Sequence, residues 1–498
     1  MQRRNEAPTG GRPRAPYSGT GQTAPGGRAP VRVNGNGAKP AYRQTVPAGH
    51  ASVRSGARLV AYGILRDVTV NGAYAALSVN KRLSASRLTG ADRRLAAALA
   101  YDTLENQYRL DFALDQFLAR KNIDPPLRDL LRLGACQILL YGRVPDSAAV
   151  NETVGLCDRI GLENLKGVVN GVLRNLIRGR DSIKWPDAQA EPVNYLSIMY
   201  SIPEWLVERL ITEYGRETAF HICTYRERGA GVTLRPNMLR LTDGQFETLL
   251  TQKAWTWRAL PVPRAYEING AADIGADEDH IKGWYSIQGA GSMLAAMAVG
   301  ARNGWHILDC CAAPGGKAAY LAESMGGTGR VYAWDLHPHR VDLIHAVKKR
   351  LKLDNIRPAI RDAMQFREDL EGSMDAVLVD APCSGYGVML KKPDVKYRHQ
   401  EEDIQALCLV QAKLLETCSR YVKRGGVMVY ATCTLLRDEN QAQVEAFLKG
   451  HPDFRVESLP DTIPEPYRTL YGPTGMQLLT YRDGTEGFFI ARMRRAGM

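Results

Sequence analysis

No run of about 18 uninterrupted apolar residues, the length a membrane-spanning helix requires, occurs in the 498-residue chain. Residues Met1 to Arg14 lack the apolar core of a secretory signal. The nine cysteines include no CxxC pair and no His-rich spacing, which argues against a zinc site or any other bound metal. Without a secretion signal they are expected as free thiols, most of them buried as small hydrophobes. The glycine turn Cys311 to Lys317 lacks two marks of a phosphate loop: Cys311 stands where the first glycine would be, and Ala318 where Ser or Thr would follow the lysine. Nucleotide hydrolysis is therefore disfavoured. These absences together predict a soluble, cytoplasmic protein with no metal and no membrane contact, a monomer by default.

What is present is long and basic. At about 150 residues per domain the length suggests roughly three domains, and the formal net charge is +12. Much of that charge sits in residues 1–55, which carry nine basic residues against the single acid Glu6, together with nine Gly and seven Pro. Such a segment cannot bury enough apolar surface to offset its ordering entropy. It reads as a disordered tail, suited either to loose contact with RNA phosphates or only to keeping the chain soluble.

From 56 to 180 the pattern is helical. Leu59, Val60, Ile64 and Leu65 form one stripe, Leu95, Leu99 and Leu104 a second, and Leu127, Leu130, Leu131, Ile138 and Leu139 a third. Asp124-Pro125-Pro126 ends one helix and opens the next. Within this all-α region, Val144 to Leu156 and Val168 to Arg178 resemble the helical RNA-binding domain of the antitermination factor NusB. Residues 181–295 read as a small α+β linker or RNA-binding domain, with a helix from Pro203 to Tyr214 and a strand at Val232 to Arg235. Its Trp255, Trp257, Tyr266 and Trp284 are candidates for core packing or for stacking on bases.

From 296 to 498 strand and helix signals alternate, predicting a Rossmann-like, mostly parallel α/β sheet. Ile307-Leu308 runs into Asp309 and the turn Cys311, Ala312, Ala313, Pro314, Gly315, Gly316, Lys317, whose backbone at a helix start can approach a polar ligand closely. Further strands end in Asp335, Asp362, Asp380 and Thr432-Cys433. Open α/β sheets bind ligands at such ends, and Asp335, 20 residues past Gly315, is placed to accept ribose hydroxyls. Asp380 with Cys383 on one loop and Cys433 at the next strand end suit methylation of a pyrimidine at C5. A thiolate adding to C6 makes C5 nucleophilic, a carboxyl at the N3 edge stabilises the charge shift, and a base later takes the C5 proton. On this reasoning alone either cysteine could be the nucleophile.

CAAPGGK (311–317), DAPCSG (380–385), KKPDVKYR (391–398), ATCT (431–434) and GFFIARMRR (487–495) resemble the NOP2/Sun family of RNA cytosine-5 methyltransferases. With the NusB-like region in front, the layout is similar to bacterial members acting on 16S ribosomal RNA, and the resemblance spans roughly 56–498. It implies S-adenosylmethionine as cofactor, lined by Cys311 to Lys317, with Asp335 at its ribose, Asp362 at its adenine and Asp380 beside methyl and base. It implies Cys433 as nucleophile and Cys383 as the thiol that assists product release, with Lys391, Lys392 and Arg398 contacting RNA. Cys310, Ala318, Tyr386 and Gly289 depart from the family's usual residues; Tyr386 and Gly289 fall toward the expected substrate side and bear on target choice. The same chemistry on transfer RNA or another ribosomal site, and an RNA-binding assembly factor with a silent transferase domain, are the competing readings.

Overall fold

Each of the three apolar stripes lies on a helix: the first on Ala57–Thr69, the second on Gly90–Glu105, the third on Pro125–Leu140. Asp124 stands at the N-cap position of the last of these without a side-chain capping bond, and Pro125 and Pro126 open it, where a missing N–H costs nothing. A computed structural model describes residues 56–226, 231–271 and 273–497; the basic segment expected as a disordered tail lies outside the described residues. Buried side chains from Ala57 to Ile183 form one all-helical core. No helix among the described residues is long and apolar enough to cross a membrane.

The stretch that follows is shared between two bodies. Helices Pro192–Tyr200, Glu204–Tyr214 and Arg216–Thr224 pack against Tyr386, Met389, Val395, Leu435 and Leu436 much farther along the chain. Strands β1 (Val232–Pro236), β2 (Thr256–Ala259), β3 (Tyr266–Asn269) and β4 (Tyr285–Ile287) form an antiparallel sheet in the order β2-β3-β1-β4. Its core takes Phe246, Tyr266 and Tyr285, with Trp255, Trp257 and Trp284 packed against it, so these aromatics are structural. Arg235 on β1 docks this sheet on helix Gly316–Ser324. Its guanidinium meets Glu323 at 2.6 and 2.9 Å and Gln288 at 2.6 Å, a fully buried pair kept tolerable by its complete set of partners.

The larger sheet has eight strands: β5 (His306–Asp309), β6 (Arg330–Asp335), β7 (Ile356–Ile360), β8 (Met374–Asp380), β9 (Val422–Thr432), β10 (Phe454–Val456), β11 (Met476–Leu478) and β12 (Phe488–Arg495). The order is β10-β12-β9-β8-β5-β6-β7, with β11 on β12. Strands β5 to β9 are mutually parallel, and β12 runs antiparallel to β9. Helices Ala290–Met297 and Gly316–Ser324 cover one face and Glu401–Ser419 the other. Because the strands are parallel, their carboxyl ends share one edge.

The short helix Pro393–Tyr397 ties this sheet to the helical body. Lys396, 1% exposed, donates to the carbonyls of Glu105 at 3.3 Å and Tyr200 at 3.1 Å. Each is the last residue of its helix, where free carbonyls and the dipole favour a cation. Burial nonetheless lowers the ammonium's pKa to about 8.

Candidate active site

The edge where the parallel strands end gathers the polar residues. At the tip of β5, Ala312 N–H donates to Trp334 O at 2.8 Å, folding the loop over β6. Gly315 holds φ +107°, and a Cβ there would lie 3.4 Å from the backbone of Ile344, so this position favours glycine. Gly316 opens helix Gly316–Ser324 and leaves N–H groups free at its start. Asp335, 3% exposed, ends β6; its Oδ1 accepts from His337 N at 3.2 Å. Its Oδ2 has no hydrogen bond, with only Arg340 Nε at 3.4 Å. Asp362, past β7, accepts from Met364 N at 2.9 Å and Gln365 Nε2 at 3.1 Å. Leu336 and Ile360 lie exposed at the same strand ends, an apolar surface beside the carboxylates.

Lys317 turns back from the helix and donates to Asp380 Oδ2 at 2.7 Å, its ammonium 5.3 Å from the centre of the Phe488 ring. Burial opposes its charge, but Asp380 outweighs burial and the pKa is raised. Asp309, fully buried beneath this pair, is pushed up to about 8, first by burial and then by Asp380. Asp309 ionises near 3.8 in the unfolded chain. Between the two values the folded state therefore holds a proton that the unfolded state has released, and this group's contribution to stability falls as pH rises through that window. Replacing it by Asn removes the dependence. Between about pH 5 and about pH 8, denaturant unfolding is expected to show Asp309→Asn gaining stability relative to the unaltered protein.

The register Asp380↔Ala431 brings together two loops that are 50 residues apart in sequence. Cys383 Sγ lies 3.4 Å from Cys433 Sγ, and Cys433 N–H donates to Cys383 Sγ at 3.3 Å. Both cysteines are half-buried. The Cys433 thiol is held below its ordinary value, first by the hydrogen bond from Cys383 and then, against burial and Asp380, by Lys392 and Lys317. Cys383 is raised by the same hydrogen bond, by burial, and by the charges of Cys433 and Glu439. Lys392 and Lys317 favour charge on Cys433 while Glu439 opposes it on Cys383, so of the two Cys433 is the more readily ionised. Cys311 is raised well above its ordinary value, chiefly by burial, and remains a thiol.

The positions read as RNA contacts separate. Lys392 is exposed. Lys391 is exposed but bonds Glu486 at 2.7 Å. Arg398 is engaged within the protein, by Asp394, the Ala73 carbonyl at 2.9 Å and the Tyr74 ring at 3.8 Å. Tyr386, expected toward the substrate, is instead fully buried against Trp205, because helix Glu204–Tyr214 covers it. A Cβ on Gly289 would lie 2.3 Å from the Glu486 carboxylate, so glycine there lets Glu486 reach Gly291 N at 3.0 Å and Lys391.

Glu439, Asn440 and Gln411 also lie around the thiols (below), and nothing in the sequence marked them. The run Arg437-Asp438-Glu439-Asn440 looks like a solvated turn, and only burial separates Glu439 and Asn440 from their charged neighbours. Among the described residues no cluster of three or more His, Cys, Asp or Glu could hold a metal ion.

Two families match this chain: "16S rRNA methyltransferase RsmB/F" over residues 296–494 and "NusB family" over 55–178. A probable ribosomal RNA small subunit methyltransferase B from Bacillus subtilis (strain 168) is 35% identical over 452 residues, 89% of this chain and 100% of that protein. A protein of the same name from Synechocystis sp. (strain ATCC 27184 / PCC 6803 / Kazusa) is 31% identical, over 88% of this chain and 99% of its own length. In fold, the crystal structure of PH0851 superposes with a TM-score of 0.75, covering 90% of this chain and 100% of that one at 24% identity.

Proposed function

Because the chain belongs to the RsmB/F family of 16S rRNA methyltransferases, we propose that it transfers a methyl group from S-adenosylmethionine to C5 of a cytosine in 16S ribosomal RNA. The observation that carries this reading is the pair Cys383 and Cys433, 3.4 Å apart beside the Lys317–Asp380 ion pair. Hydride transfer or phosphate chemistry has no use for two thiols there. A silent binding module would have no need to keep a depressed thiol beside that pair.

The residues present fit the cofactor. Asp335 keeps a buried carboxylate oxygen without a hydrogen bond, suited to a ribose hydroxyl, and Asp362 with Leu336 and Ile360 offers a polar edge and an apolar face for adenine. Cys311 to Lys317 would line the remainder, the loop backbone lying close to the ligand. When bound, S-adenosylmethionine supplies an electrophilic methyl group.

Cys433, as its thiolate, adds to C6 of the cytosine, and the electron pair of the C5–C6 double bond moves into the ring, leaving C5 nucleophilic. Asp380, oriented by Lys317, would face the N3 edge and, in its acid form, give N3 the proton that neutralises the charge moving onto it. Once C5 carries its methyl group, loss of the C5 proton to a base breaks the C6–S bond, expels the Cys433 thiolate and restores the ring. Cys383, beside that bond, serves the release. Lys392, and Lys391 beyond its bond to Glu486, would meet RNA phosphates, and the NusB-like region would add RNA affinity.

The test is transfer of labelled methyl from S-adenosylmethionine to deproteinised small-subunit RNA from cells lacking this gene, followed by nucleoside analysis. Label in 5-methylcytidine is expected. Label in transfer RNA alone would overturn the substrate, and no label in any RNA would overturn the activity.

A further inference from the structure

Beneath the two thiols lies a layer of polar side chains closed to water: Ser384 is 1% exposed, and Gln411, Thr432, Thr434, Glu439 and Asn440 are 0% exposed. Such a layer is costly unless its members satisfy one another, and here the bonds follow a pattern. The Glu439 carboxyl accepts from Ser384 N at 2.9 Å, Ser384 Oγ at 2.5 Å and Gln411 Nε2 at 2.9 Å. The same Gln411 amide donates to Pro382 O at 2.9 Å. Those bonds hold the residues immediately before and after Cys383. Asn440, the next residue, accepts from Thr432 Oγ1 at 2.5 Å and donates to Thr434 O at 3.2 Å and Gln477 Oε1 at 2.8 Å. Thr432 and Thr434 are the residues immediately before and after Cys433. The hydroxyls of Ser384 and Thr434 lie 2.6 Å apart and join the two halves; since the Ser384 proton goes to Glu439, Thr434 is the donor.

We infer that Glu439 and Asn440 are positioning residues for the two-thiol reaction, each straddling one cysteine, and that together they set the distance between the sulfurs. The inference rests on the two-thiol reading above. Neither side chain touches a sulfur. Each fixes the backbone on both sides of one, and being consecutive they cannot move independently. An ångström of drift in either loop would take a thiol out of line with the ring, a displacement that can cost on the order of 100-fold in rate.

Near-isosteric replacements separate the two halves. Glu439→Gln removes the charge and puts an NH2 where an oxygen accepts from Ser384 Oγ, so that hydroxyl must turn to accept and its bond to Thr434, which joins the two halves, reverses. Adduct formation with RNA is expected near the normal rate while release slows by about 100-fold, so that a covalent enzyme–RNA band accumulates on a denaturing gel. Asn440→Asp keeps the bond from Thr432 and loses the donor to Thr434 and Gln477. Adduct formation itself is expected to slow by about 100-fold, with no accumulation. In both, affinity for S-adenosylhomocysteine and KM for RNA should stay within about twofold, since neither residue reaches those sites. Ser384→Ala deletes one donor to Glu439 and should give a smaller release defect; it decides the matter if either other variant fails to fold. Unchanged kinetics would overturn the inference, as would losses of attack and release that fall together with cofactor affinity, the mark of an ordinary core network. Cys433→Ala run alongside keeps the two ideas distinct. If it is active, the two-thiol reading fails; if it is dead while the Glu439 and Asn440 variants turn over normally, only the positioning role fails.

Discussion

Cys433→Ala is expected to abolish methyl transfer, with a loss on the order of 10⁴-fold or more, as when the nucleophile of a covalent mechanism is removed. The adduct should be absent and KM for RNA little changed, because the small thiol contributes to bond formation rather than to holding RNA. The check is single-turnover labelling together with a denaturing gel. A variant that still transfers methyl at the normal rate would end the assignment. The expectation comes from electrostatics as well as from the motif: Cys433 is the sulfur whose charge Cys383, Lys392 and Lys317 favour. Cys311 and Cys383, the other cysteines of the site, are raised.

Cys383→Ala should fail at the other end of the cycle. Attack can proceed, but release is expected to slow by about 100-fold, trapping most of the enzyme on RNA as a band that survives denaturation. A second consequence separates this variant from a generic defect. The Cys383 hydrogen bond is the largest influence lowering the Cys433 thiol, so its loss leaves burial to push that thiol up. The rate of adduct formation should therefore reach its plateau at a higher pH than in the unaltered enzyme. Measuring adduct formation across about pH 6 to 9 tests both parts, given an unperturbed thiol near about 8.5. Absence of adduct at every pH would count against the release role.

The two cysteines also show how far the linear chain could be read. A thiol after Thr432 at a strand end and another on the Asp380 loop were legible as neighbours at one edge of the sheet, because residue type and strand-end position are local properties. Their division of labour was not legible. It depends on which sulfur the lysines face, and Lys317 and Lys392 come from elements far apart in sequence. The helical stripes and the strands ending in Asp309, Asp335 and Asp380 were legible for the same local reason: periods of 3.6 and 2 residues are set by near neighbours. The long partner of that sheet, β12, carried its motif without a clear strand pattern, since it is buried almost throughout and lacks alternation.

The KKPDVKYR segment marks the limit most clearly. In sequence it is one basic stretch, and a basic stretch suggests RNA. In the fold Lys391 and Lys392 stay exposed while Lys396 and Arg398 are bound to carbonyls of the helical body, a destination no local rule could supply. Tyr386 went to the core rather than to the substrate side for the same reason, as did Glu439 and Asn440. Sequence alone therefore determined the chemistry available: the helical front, the α/β sheet, the glycine turn, the acids at strand ends and the two thiols. Tertiary structure decided which thiol the cations favour, which basic residues stay exposed and which buried side chains flank two sulfurs 3.4 Å apart. Residue type and periodicity are local, whereas a pKa or a distance between loops 50 residues apart is set by sheet register and by whatever packs against it.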